Sequence, residues 1–205
     1  KVNENSLVNT TEAIENVIRG FDLSRQLEMY RFFLVAFDAA PGVNYFNQLR
    51  DAVESGLSTK QIVNIFTTKS QFLSVFPESL SNDAFASKLA NRVVGNEASD
   101  QAKGLAINDI VTALNAGWSR GDVVYTIFGN LAARETDPNK AGFNPADPYI
   151  NVARQLSNAV KVAAHYTESI KGNSLDLSIL QSVVSRVTSA SDVSTLGALD
   201  ALAKR

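Results

Sequence analysis

The sequence predicts an all-α fold, and three observations carry that prediction. Apolar residues recur at three and four positions nearly everywhere, as in Leu23, Leu27, Tyr30, Leu34 and Phe37, which lines one face of a helix. No stretch alternates with the period of two that a half-buried strand requires. Glycines punctuate the pattern: Gly20, Gly56, Gly95, Gly117 and Gly172 each follow an apolar-periodic segment, where a left-handed residue ends a helix.

Spacing and breakers place helices at about 10–19, 23–37, 42–55, 59–69, 82–94, 100–115, 120–134, 148–170, 176–188 and 192–203. The helix at 59 starts on Ser58-Thr59-Lys60-Gln61 and that at 120 on Ser119-Arg120-Gly121-Asp122. Both put a hydroxyl three residues before an acceptor side chain, as in a capping box. Asp147-Pro148 supplies a cap followed by proline at a first helical position. Between 135 and 147 the chain carries Pro138, Pro145, two asparagines and two aspartates, and reads as the one long loop.

Superposing the two capping boxes reveals an internal repeat. Ser55-Gly56-Leu57-Ser58 lies over Ala116-Gly117-Trp118-Ser119, and the apolar positions that follow coincide. Upstream, Tyr30-Arg31 lies near Asn91-Arg92, and Gly42-Val43 near Gly104-Leu105. Each unit reads helix, glycine loop, helix, Gly-x-Ser turn, helix. Unit one spans about 23–76 and unit two about 82–134, with C-terminal helices at 148–203, all within one domain over 1–205.

Composition removes several function classes. The chain has 205 residues, 45% of them apolar, which is too apolar for disorder. Its longest apolar run, Phe32 to Phe37, is too short to span a bilayer. With 19 basic and 21 acidic residues the net charge is −2, so no general attraction to nucleic acid or anionic lipid is expected. The absence of cysteine excludes disulfides, thiol nucleophiles and cysteine-ligated metals, and a single histidine, His165, excludes multi-histidine sites within one chain. No Gly-x-Ser-x-Gly elbow accompanies His165, which argues against a serine hydrolase. Acidic pairs for glycoside hydrolysis are permitted by composition without being indicated by it. No charged segment followed by an apolar stretch opens the chain, so no N-terminal signal peptide is expected and the chain reads as processed or as a piece of a longer one.

Trp118, next to the cap Ser119, occupies the position of a hydrophobic staple. With Arg120 and Asp122 beside it, it would alternatively offer an aromatic platform to a sugar ring. The loop Asp137-Pro138-Asn139-Lys140-Ala141-Gly142 opens like a calcium loop but has Ala141 at position five and Pro148 at position twelve. A looser calcium site would draw on Asp137, Asn139, Asn144 and Asp147. Asn9-Thr10-Thr11 matches a glycosylation sequon.

The first unit, with Tyr30-Arg31, Leu34, Gly42, Tyr45-Phe46, Leu49, Ser55-Gly56-Leu57-Ser58 and Ser70-Gln71-Phe72, resembles the helical DUF4214 domain of bacterial secreted and surface proteins. The second unit keeps Arg92, Gly95, Gly104 and Ala116 to Asp122 but loses the aromatic pair. Gln155 to Thr167 resembles the segment that follows such repeats in large calcium-repeat and S-layer-type proteins exported by type I secretion. The resemblance implies a non-enzymatic attachment or assembly module at the bacterial cell surface, extracellular, with no required cofactor and calcium as an optional one. Its partner would be lipopolysaccharide O-antigen or another surface glycan, with self-assembly in a lattice as a second association. Candidate glycan contacts are Trp118, Arg120, Tyr125 and Tyr45. The alternatives are a helical accessory domain of a secreted enzyme and a carboxylate-based glycan-processing enzyme.

Overall fold

A computed structural model describes residues 23–203. The helix expected at 10–19 and the sequon at Asn9 lie outside the described residues. Within them the chain forms ten α-helices and no strand, the all-α class that the spacing predicts. They are α1 (Leu23–Phe37), α2 (Gly42–Glu54), α3 (Thr59–Phe66), α4 (Ser70–Val75), α5 (Asn82–Val94), α6 (Asp100–Asn115), α7 (Arg120–Ala132), α8 (Ile150–Ala164), α9 (Leu177–Val184) and α10 (Leu196–Ala203), with a π-helical turn at His165–Ser169 extending α8.

The expected helix over 59–69 is interrupted. Thr67 and Thr68 donate their hydroxyls to the carbonyls of Asn64 and Ile65, which closes α3, and Lys69 adopts an extended conformation that starts the short α4. The C-terminal helices are shorter than the spacing suggests. α8 loses its regular winding at His165, and α9 ends at Val184 rather than at 188.

α1 is the axis of the fold. It packs against α3, α4, α7 and α8, so every residue from Met29 to Phe37 except Arg31 is buried. An apolar stripe understates this: the last two turns are apolar all round because the helix is surrounded. Leu23, by contrast, is exposed. From α1 a chain of ring contacts runs Phe32, Phe37, Phe72, Phe76, Phe85 and carries the core from the first unit into the second. Arg92 closes this core from α5. Its Nη2 donates to the carbonyls of Val35 and Ala36 at 2.5 and 2.6 Å, satisfying the C-terminal end of α1, and its guanidinium lies over Phe76. Burial pushes Arg92 down to about 10, with Asp38 acting in the opposite direction.

Both Gly-x-Ser turns have the same geometry. Gly56 and Gly117 each sit at φ 95°, which only glycine adopts without strain. Leu57 N–H bonds to Ala52 and Gly56 N–H to Val53, and Trp118 N–H bonds to Ala113 and Gly117 N–H to Leu114, the paired bonds of a Schellman motif. The units differ in their hairpins. α5 and α6 pack closely, with the small residues Ala86, Ala90 and Ala106 in the core beside them, whereas aromatic side chains stand between α1 and α2. Tyr30 stacks on Phe46 at 4.8 Å and Phe33 meets Tyr45 at 5.2 Å. The aromatic pair of the first unit thus spaces its helices apart.

α3 and α7, the equivalent third helices of the two units, pack directly on each other. Their contact needs Gly121, because a Cβ there would lie 2.5 Å from Asn64 Oδ1 and 2.9 Å from Asn64 Cα. The C-terminal region packs on the other side of α7: α8 packs on α1 and α7, and α9 and α10 pack on α8.

Candidate functional site

The sequence groups Trp118, Arg120, Tyr125 and Tyr45, and the structure separates them. Tyr45 is buried in the α1–α2 interface and donates its hydroxyl to Leu175 O at 3.2 Å. This corrects its expected role as a glycan contact: aromatic packing on Phe33 takes its ring out of solvent. Tyr125 is half-buried and packs edge-on against Phe128 at 5.5 Å, on the core. Arg120 lies over the Phe85 ring and donates to the carbonyls of Phe76, Pro77 and Leu80. Its guanidinium binds the unit-one connection to α7, and those bonds engage both of its terminal nitrogens.

Trp118 alone keeps an accessible aromatic face. It is 46% exposed and stands at the mouth of a cleft of about 310 Å³ between α5, α6, α7 and Tyr149. The volume lies at the lower end of small-molecule pockets, which start near about 300 Å³. The floor is apolar, formed by Val94, Ile110, Ala113, Val123 and Ile127, and Asp109, Thr126, Asn130 and Arg134 supply the polar groups. Val123 is the residue a staple at Trp118 would meet, and both line the same cleft.

Tyr149 is fixed at the far side. Its hydroxyl donates to Ala102 O at 2.7 Å, and Arg134 lies over its ring. Partial desolvation and then the Asp109 charge push its hydroxyl above the ordinary tyrosine value. Arg134 is in turn held by Asp147, whose Oδ2 accepts from Nε at 2.7 Å. Partial desolvation works upward on Asp147, but the Tyr149 N–H and Arg134 outweigh it and hold the carboxyl below its ordinary value.

Asp122 does not face this cleft. Its N–H bonds to Ser119 Oγ as a cap, while its carboxylate turns to Asn64 Nδ2 at 2.9 Å, so the second capping box is only half closed. The first is complete, with Ser58 and Gln61 bonded reciprocally. Three of the four loop residues with calcium-ligand chemistry have their side chains engaged locally. Asp137 accepts from Asn139 N–H, Asn144 from Ala146 N–H, and Asp147 from Tyr149 N–H as well as from Arg134. Among the described residues, no three histidine or carboxylate side chains cluster to hold a metal.

Tyr149, Asp109, Thr126 and Asn130 were not singled out by the sequence. Thr126 and Asn130 share a face of α7 at a spacing of four, which is a legible signal; their pairing with Asp109 and Tyr149 from other elements is not. The chain matches none of the family models, curated proteins or solved structures with which it was compared.

Proposed function

We propose that this chain is a non-enzymatic attachment module of an exported bacterial surface protein, and that it holds a neutral surface glycan of the O-antigen type in the Trp118 cleft. The observation that carries this reading is an indole half exposed over an apolar floor, with Asp109, Thr126 and Asn130 at hand. A pyranose ring has an apolar face and a polar edge, and this arrangement offers a counterpart to each. The resemblance of the Gly-x-Ser units to surface-protein domains points the same way. The cleft lining includes one carboxylate, Asp109, among the described residues, whereas glycoside hydrolysis uses two acids flanking the bond, which favours retention over cleavage here.

Affinity for one glycan unit is expected to be modest, because the sugar exchanges good water contacts for protein ones, and many copies in a surface layer would multiply it. The test is to compare binding of the chain to bacterial cells with and without O-antigen, followed by incubation with the released polysaccharide. Retention on O-antigen-bearing cells without chain shortening supports the proposal. Equal binding to both cell types rejects the ligand, and shortening of the polysaccharide means an enzyme.

A further inference from the structure

A second groove, of about 240 Å³, runs between the middle of α1, the end of α7 and α8. Three cations line it, Arg31, Arg134 and Lys161, together with the hydroxyl residues Thr136 and Ser157. Among the described residues none of its lining is acidic, although the chain as a whole carries a net charge of −2. The three charges come from different elements, so the fold and not the local sequence brings them together.

Arg31 is the informative member. It is the one residue of the buried half of α1 that stays partly open, and among the described residues it forms no hydrogen bond or close ion pair; the charge it feels is Glu28, one turn earlier on the same helix. Desolvation lowers its affinity for the proton. A guanidinium that gives up water without gaining a hydrogen-bonded acceptor costs free energy, which the Glu28 charge offsets in part and an anion in the groove would offset further. Lys161 stands one turn after Ser157 on α8 and makes no ion pair among the described residues. Arg134 uses Nε for Asp147 and Nη1 for Asn130 O, which leaves Nη2 for another acceptor.

We propose that this groove is a binding site for an oxyanion, a phosphate or carboxylate group carried by a polysaccharide or free in solution. Guanidinium, ammonium and hydroxyl groups lining one groove suit an acceptor with several oxygens. Leu131 and Arg134 line both this groove and the Trp118 cleft, so the two sites flank the end of α7. The oxyanion site does not depend on the Trp118 cleft binding a sugar.

The test uses the full chain and isothermal titration with three probes: inorganic phosphate, an oligogalacturonate and a neutral malto-oligosaccharide. Arg31→Gln and Lys161→Gln are each expected to weaken the bound anion at least tenfold. Arg50→Gln makes the same charge change at a surface pair with Glu54 and should leave binding unchanged. Saturable binding of phosphate alone identifies a phosphate group, and of oligogalacturonate alone a carboxylate; either supports the site. Absence of saturable binding of both, equal weakening by Arg50→Gln, or equal competition by the neutral sugar overturns it. Lys161 is exposed, so Lys161→Gln keeps the test readable should Arg31→Gln fold poorly.

Discussion

Two glycines in one helix should respond to the same substitution with opposite signs. Gly121 and Gly129 both lie in α7, but a Cβ at Gly129 meets nothing within 4 Å, whereas at Gly121 it meets Asn64 Oδ1 at 2.5 Å, Cγ at 2.8 Å and Cα at 2.9 Å. Gly129→Ala therefore gains helix propensity alone, about 1 kcal/mol. Gly121→Ala gains the same and must also relieve the contact with α3. If Asn64 swings away, it loses its bonds to Asp122 at 2.9 Å and from Ser119 at 2.6 Å, and two such bonds contribute about 2 kcal/mol. If instead the helices part to clear Asn64 Cα, overpacking costs about 1–3 kcal/mol. Net destabilisation by Gly121→Ala is thus about 1 kcal/mol, and the two variants should differ by about 2 kcal/mol, or about 4–8 °C in Tm for a chain of this size. Urea unfolding followed by far-UV circular dichroism measures both. Asn64→Ala removes the Oδ1 and Cγ contacts but keeps the one to Cα, so in that background the Gly121→Ala cost should shrink without vanishing. A Gly121→Ala variant as stable as Gly129→Ala would refute the direct packing of the two repeat helices.

Arg92→Met deprives the Val35 and Ala36 carbonyls of their donor and should cost about 2–4 kcal/mol in urea unfolding. Hydrogen bonding by Asn64, with smaller help from Lys60 and Ser119, holds Asp122 below the ordinary carboxylate range. Its contribution is therefore complete above the unfolded value of about 3.9 and is lost as pH falls through the lower folded value. The stability gap between the native chain and Asp122→Asn, from unfolding curves at stepped pH, should close only below about pH 4. Trp118→Ala should reduce retention on O-antigen-bearing cells at least tenfold while costing only about 1–2 kcal/mol of stability, since its indole is half exposed. Tyr45→Phe should show the reverse, losing about 1 kcal/mol with its bond to Leu175 and retaining the glycan unchanged.

Which properties are legible in the sequence follows from their range along the chain. Helical periodicity, the Ser58 and Ser119 caps and the two Gly-x-Ser turns are interactions over three to five residues, and they appear in the structure where the residues place them. The repeat was visible for the same reason, because each turn repeats a local hydrogen-bond pattern. The break at Thr67 is also local, but it arises from hydroxyls competing with the helix for carbonyls, a choice that an apolar pattern does not register.

What belongs to the site was decided by tertiary packing. Tyr45 and Trp118 are both aromatic residues on amphipathic segments, yet one faces α1 and the other solvent. Arg120 and Arg31 are both arginines among apolar neighbours; three carbonyls from the unit-one connection engage the first and none engages the second. The sequence by itself determined helices, caps and turns, since their partners lie within about one turn of the chain. Only the tertiary structure decided which polar and aromatic groups were spent on packing and which were left facing a cleft, because their partners lie tens of residues away and burial depends on all of them at once.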